Sequence, residues 1–195
     1  MRVIAGEAKG RTLVVPRGGE TRAATDRIRE TLFAILDPTL AGADVLDLFA
    51  GAGTLGIEAL SRGARHATFV ERGREALAAI RRNLAATGFA SRATVVPRPV
   101  RAYLDAAPPG AFGVVFVDPP FGDVATMNET LAHPALRGAL APGAIVIARS
   151  LRKHPAAPPA DASVVRTKPI GEEDLVFLRY SQPAAGGSLW TSSSS

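Results

Sequence analysis

A chain of 195 residues that is 47% hydrophobic and 21% charged has enough apolar side chains for one domain with a full core, and is too apolar to be mainly disordered. It contains no cysteine, which excludes a disulfide scaffold, a thiolate zinc site, an iron–sulfur cluster and a thiol nucleophile together. Its 23 basic residues outnumber 18 acids for a net charge of +5, and only Lys9, Lys153 and Lys168 are lysines. The excess of arginine fits a polyanionic partner, because a guanidinium grips phosphate through a planar fork, and it fits a GC-rich coding sequence equally.

The opening residues, MRVIAGEAKGR, hold no apolar stretch of the kind a secretory signal needs, and nothing further on approaches the ~20 apolar residues of a membrane span. A soluble, cytoplasmic protein with no membrane partner is expected. Residues 2–16 read as a β-hairpin, RVIAG and RTLVVP around EAKG, and with the basic stretch that follows make an N-terminal extension over residues 1–22. Thr25 is placed to cap a helix whose first turn carries Asp26, and Asp37-Pro38 is expected to stop it. From Asp44 onward strands and helices alternate. VLDLF, ATFVE, ATVVP, VVFVD and IVIAR read as buried strands, with helices TLGIEALSRG and REALAAIRRNLAATG ended by Gly63 and Gly88. VVRT and LVFLRY follow with no helix between them. The pattern predicts an α/β fold with a mostly parallel seven-stranded sheet and an antiparallel hairpin at one edge. One domain over residues 1–183 is expected, then a disordered, low-complexity tail over 184–195 that includes Trp190.

Two constellations carry chemistry. VLDLFAGAGTLG joins the first strand to a helix and contains GxGxxG, a weak signal alone that gains force from its place between strand and helix. Glu71 ends the next strand 20 residues after Gly51, the position from which a carboxylate reaches a ribose diol. Asp47 would sit poorly beside a pyrophosphate. It suits a ligand with a sulfonium and an α-amino cation, so the loop favours S-adenosylmethionine (SAM) over a dinucleotide. The bland alternative is that Gly53 and Gly56 only let helix and strand pack closely. The second constellation, Asp118-Pro119-Pro120-Phe121, ends the fourth strand at the sheet edge where open α/β folds bind ligands. Asp118 and the Pro119 carbonyl can accept the two hydrogens of an exocyclic amine while Phe121 stacks on the base. The bland alternative there is a strand-terminating turn. His66, His133 and His154 lie far apart and form no metal-ligand spacing, so no metal is expected.

With these residues in view the chain resembles the class I SAM-dependent methyltransferases, and more narrowly the RsmD family, which methylates the N2 amine of a guanine in bacterial small-subunit rRNA. The likeness runs from RVIAGEAKGR to LVFLRY, and is most specific in TDRIRETLF (25–33), LDLFAGAGTLGIEALSRGA (46–64) and VDPPF (117–121). It implies a Rossmann-like fold and SAM as co-substrate. Asp47, Phe49, Gly51, Gly53, Glu71 and Arg72 would contact SAM, and Asp118 to Phe121 would form the catalytic turn. Arg22, Thr25, Arg27 and Arg29 would face 16S rRNA, within a small-subunit or assembly particle, with the enzyme acting as a monomer. Two positions depart from the common pattern. Gly73 stands where an acid is frequent, and Val100 stands at the adenine site where many class I enzymes carry Asp. Arg152, Lys153 and His154 form a second, weaker RNA candidate.

Alternatives with the same chemistry are an N6-adenine DNA methyltransferase and a protein glutamine methyltransferase. The glutamine enzymes usually show Asn before the prolines, and sequence-specific DNA enzymes usually carry an inserted recognition domain, for which 195 residues leave no room. A NAD-binding oxidoreductase explains neither Asp47 nor DPPF, and a non-enzymatic RNA-binding module needs no acid in that turn.

Overall fold

Seven strands form a single sheet in the computed structural model, which describes residues 1–16, 25–120 and 123–181. They are β1 (Asp44–Asp47), β2 (His66–Val70), β3 (Ala93–Val96), β4 (Phe112–Val117), β5 (Leu140–Leu151), β6 (Ala162–Ile170) and β7 (Glu173–Tyr180). Their order is β3-β2-β1-β4-β5-β7-β6, with β7 antiparallel to both neighbours and every other pair parallel. The architecture is the mostly parallel α/β sheet with an antiparallel edge that the sequence pattern predicts, in the Rossmann-like form that the resemblance implies.

Both faces of the central strands are buried, which is why those strands read as unbroken apolar runs. Val45, Val114, Phe116, Ile145 and Ile147 point to one side, where they join Phe33, Leu60, Phe69 and Ile80 beneath α1 (Asp26–Leu40), α2 (Thr54–Ser61) and α3 (Arg74–Thr87). Leu46, Val115, Val117 and Val146 point to the other, against α4 (Val100–Leu104), α5 (Val124–Leu131) and α6 (Pro134–Ala139). These three short helices are additions to the sequence reading. None of the described helices is long and apolar enough to cross a membrane.

Helix starts and stops follow local chemistry. Thr25 caps α1, its hydroxyl accepting from the Ile28 N–H at 3.4 Å, with Asp26 in the first turn. Gly88 ends α3 at φ +80°, in the left-handed region open to glycine. Pro38, however, does not stop α1, which runs on to Leu40. The proline removes one N–H only two residues from the end, the Thr39 hydroxyl donates to the Leu36 carbonyl at 2.7 Å, and fully buried Leu40 anchors the last turn.

The N-terminal hairpin forms as a short antiparallel pair. Its two arms pair about Arg2 and Thr12, the Val3 N–H donating to the Arg11 carbonyl (3.0 Å), the Gly10 N–H to the Val3 carbonyl (2.9 Å) and the Leu13 N–H to the Met1 carbonyl (2.8 Å). Further polar groups of the segment go to side chains of the helices beneath. Glu58 of α2 accepts from the N–H groups of Ile4 (2.8 Å) and Ala5 (3.0 Å), and Asn83 of α3 clasps Val14 through its N–H (2.7 Å) and carbonyl (2.9 Å). Val3, Ala8 and Leu13 are buried, so the segment is a strap over α2 and α3 that belongs to the core. Gly6 makes the close approach possible: a Cβ there would lie 1.8 Å from the Ser61 carbonyl oxygen. The rest of the expected extension, 17–22, and the tail lie outside the described residues.

Candidate active site

The carboxyl ends of β1, β2 and β4 converge on one cavity of about 450 Å³. Asp47 lines it from the end of β1, Phe49 and Gly51 from the loop that follows, Glu71 from the end of β2, and Asp118 from the end of β4. The strap closes one side with Val15 and Pro16. A second cavity, of about 610 Å³, shares Phe49 and Glu71 with the first and continues past Arg72, Arg98, Pro99 and Val100. Of the sequence candidates on the cofactor side, Asp47, Phe49, Gly51, Glu71, Arg72 and Val100 line these two adjoining cavities, and Gly53 packs toward Phe69 and Ile80 behind them.

Each part of the glycine loop has a definite task. Glu71 is fixed by backbone donors: Oε2 accepts from Gly51 (2.9 Å), and Oε1 from Arg72 (2.8 Å) and Gly73 (2.7 Å). This tie links the loop to the end of β2. Gly53 begins α2 at φ +78°. Gly56 serves packing, since a Cβ there would come within 2.3 Å of the Phe69 ring. The bland reading holds for Gly56, whereas Gly51, at φ +53° with open space around it, faces the cavity.

Asp47 is 1% exposed. Its Oδ2 accepts from the Gly56 N–H at 3.2 Å, while Oδ1 is buried without a hydrogen-bond partner. Burial pushes its carboxyl up to about 7. The Gly56 N–H opposes that rise, and the charges of Asp118 and Glu71 add to it. A buried, unsatisfied acceptor among like charges is costly, and a cation beside it relieves that cost.

Asp118 leaves β4 just before two prolines, and the Pro120 carbonyl accepts from the Asp123 N–H at 3.0 Å, closing the turn into α5. Val117 pairs with Ala148, so Asp118 and Arg149 stand side by side on adjacent parallel strands. Arg149 Nε donates to Asp118 Oδ1 at 2.8 Å, and its Nη1 donates to Glu173 Oε2 at 3.0 Å. Burial raises the Asp118 carboxyl above the usual range, Arg149 pulls it down, and Glu173 adds to the rise. Phe121 lies outside the described residues.

The expected RNA-facing residues separate. Arg22 lies outside the described residues, Thr25 is exposed and serves as the α1 cap, and Arg27 is exposed. Arg29 is corrected: it is fully buried, and Nη2 donates to Asp26 Oδ1 (2.8 Å) and the Arg2 carbonyl (2.7 Å), with Glu58 3.4 Å from Nη1. It lies three positions after Asp26 and faces inward with Ile28 and Leu32, so the helical period sends it to the core. Sequence reasoning also missed Arg149, and Asp123, Thr126 and Glu129 in the second cavity. An arginine ending an otherwise apolar strand was the available sign for Arg149.

A family model described as "Conserved hypothetical protein 95" matches residues 1–179. The ribosomal RNA small subunit methyltransferase D of Escherichia coli K12 is 38% identical over 96% of this chain and 93% of its own length. The chain belongs to the RsmD family. The methyltransferase D of Haemophilus influenzae is 33% identical, over 88% of this chain and 89% of its own length. Among solved structures the Escherichia coli protein yhhF, named there as a candidate methyltransferase, superposes with a TM-score of 0.82 at 36% identity, over 94% of this chain and 99% of that one.

Proposed function

We propose that this protein transfers the methyl group of SAM to the N2 amine of a guanine in 16S rRNA, within a small-subunit or assembly particle. One observation carries the reading: Asp118 lines the same cavity as Asp47, Gly51 and Glu71, so an acceptor for an amine hydrogen faces the ground where the loop carboxylates suit a cationic cofactor. The rRNA methyltransferase relatives support the substrate class.

When bound, SAM supplies an electrophilic methyl on a good leaving group. The residues of this chain hold and orient. Asp47 Oδ1 offers a buried carboxylate oxygen to a cation, and the Glu71 carboxylate stands beside it to take ribose hydroxyls. Phe49, Arg72 and Val100 line the second cavity, where adenine would lie against apolar and backbone groups in the absence of an Asp at Val100. Asp118 accepts one amine hydrogen through Oδ2, which takes no bond from any described residue, and the Pro119 carbonyl accepts the other. Positive charge developing on the amine is stabilised by the same carboxylate. Exposed Arg27, with Arg22, would meet rRNA phosphate.

Labelled SAM incubated with small subunits from a strain lacking the enzyme, followed by mapping of the modified base, tests the reading. Label on guanine N2 of 16S rRNA is the expected result. Label on another base of the rRNA or on a ribosomal-protein glutamine, or label that appears only when DNA is offered in a parallel incubation, overturns it.

Asp47 gives a pH signature. A cation bound beside a carboxyl raised to about 7 favours its charged form and lowers that value, so binding releases a proton. SAM affinity is then expected to rise with pH between about 6 and 8. Calorimetry in buffers of different ionisation enthalpy measures the release, and Asp47→Asn should abolish it. Affinity that is flat or falling over this range removes Asp47 from the cation-binding role.

A further inference from the structure

We propose that Arg149 is a positioning residue for methyl transfer, held between Asp118 and Glu173 so that it aims the Asp118 carboxylate and leaves its second oxygen to the substrate amine. The inference rests on the function proposed above. The geometry is specific. Arg149 has a side chain only 7% exposed, with Asp118 and Glu173 at 15% and 16%. Its Nε holds Asp118 Oδ1 at 2.8 Å and its Nη1 holds Glu173 Oε2 at 3.0 Å, so one planar guanidinium fixes two carboxylates from the neighbouring strands β4 and β7. Surface ion pairs contribute little, but a guanidinium shielded on both sides loses less to solvent and fixes direction as well as charge.

The alignment has a cause in the sheet. β4 and β5 are parallel and in register at Val117 and Ala148, so the next residue on each strand, Asp118 and Arg149, emerges at the same height. β7 runs antiparallel to β5 with Glu173 opposite Leu151, which brings Glu173 back to this edge. A guanidinium here also acts on charge. Asp118 is faced by Asp47 from the end of β1, by Arg149 from β5, by Glu173 from β7, and by Asp123, which lines the small cavity beside the turn. Arg149 is the cation in that set and opposes the burial that favours a protonated Asp118. A protonated carboxyl has one acceptor fewer for the amine and no charge to stabilise it, so chemistry needs Asp118 ionised.

Two variants separate this role from plain structural support, because they move the same group in opposite directions. Arg149→Met should raise the titration midpoint of Asp118, read as the carboxyl carbon signal of protein labelled at aspartate Cγ and assigned with Asp118→Asn. Glu173→Gln should lower it. The acid limb of the single-turnover pH–rate profile should follow, with Arg149→Met losing roughly tenfold or more at neutral pH and recovering part of that at alkaline pH. Arg149→Lys keeps the charge and should restore the midpoint more fully than the rate, because Lys lacks the second fork to Glu173. An Asp118 signal that stays in place in both variants, or moves the same way in both, overturns the proposal. Should Arg149→Met fail to fold, Glu173→Gln alone decides it. The carboxyl titration does not depend on turnover. A chain that fails to methylate guanine while its Asp118 signal moves as expected rejects the proposed function and leaves the electrostatic coupling standing, whereas full activity with an unmoved signal rejects the positioning role alone.

Discussion

Asp118→Ala is expected to lower the single-turnover rate of methyl transfer by roughly 10²–10⁴ while changing SAM affinity by less than about tenfold. The exocyclic amine of guanine is a poor nucleophile, since its lone pair is delocalised into the ring. The sulfonium is already activated, so the enzyme's work is to turn the amine and to accept its hydrogen bond as charge develops. Asp118 leaves β4 at the edge of the cavity, and the diproline fixes its direction. Alanine removes the acceptor and also strips Arg149 of one of its two carboxylates. Asn keeps an acceptor oxygen but loses the charge, so it should fall between wild type and Ala. The comparison with SAM affinity matters because Asp118 and Asp47 share a cavity and repel one another. Removing Asp118 relieves that repulsion and weakens the field that attracts a cation, and these two effects oppose each other. Quench-flow transfer by Asp118→Ala at close to the wild-type rate would reduce the turn to a structural feature.

The parts of this site legible in the sequence are those that depend on local order along the chain. The glycine loop, the acid closing β2 and the acid before the diproline each sit at a strand end, and strand ends were readable from apolar runs. Parallel topology then brings such ends to one edge without further information. Arg149 was not legible, because its partnership with Asp118 depends on the register of β4 with β5. Arg29 was misread for a related reason. Its sequence setting, between Arg27 and Glu30 on a basic stretch, suggests a solvent face, and only the helical period together with a buried acid on another helix sends it inward. The hairpin was legible, but its docking was not, because the groups that hold it, Glu58, Ser61 and Asn83, are side chains far along the chain.

That inward network defines the largest stability effect. Glu58→Ala is expected to destabilise the fold by about 3–5 kcal/mol, the cost of leaving a buried charge without its partner. Glu58 is fully buried, and four groups converge on its carboxylate: the N–H groups of Ile4 and Ala5, Arg62 Nε at 2.8 Å, and Arg29 Nη1 at 3.4 Å. Removing it leaves fully buried Arg29 with Asp26 and the Arg2 carbonyl but takes the carboxylate from Nη1, beside an Nε that has no hydrogen-bond partner among the described residues, and releases the strap that lends Val15 and Pro16 to the cofactor cavity. For a chain of this size the loss corresponds to a fall in Tm of roughly 6–20 °C. Arg29→Ala should also destabilise, through the cavity it leaves and the lost contacts to Asp26 and the Arg2 carbonyl, but by less, since Glu58 keeps Arg62 and the two N–H groups. The double variant Arg29→Met, Glu58→Gln should cost clearly less than the two alanine losses added together, because it removes both charges at once. The measurement also decides the role of Arg29. A buried anchor lowers Tm and leaves the salt dependence of RNA binding unchanged, whereas a phosphate contact would flatten the log–log salt slope by roughly 0.7–0.9. An Arg29→Ala protein of wild-type Tm with a flattened slope would return this residue to the RNA surface and take it out of the anchorage that holds the strap to α2.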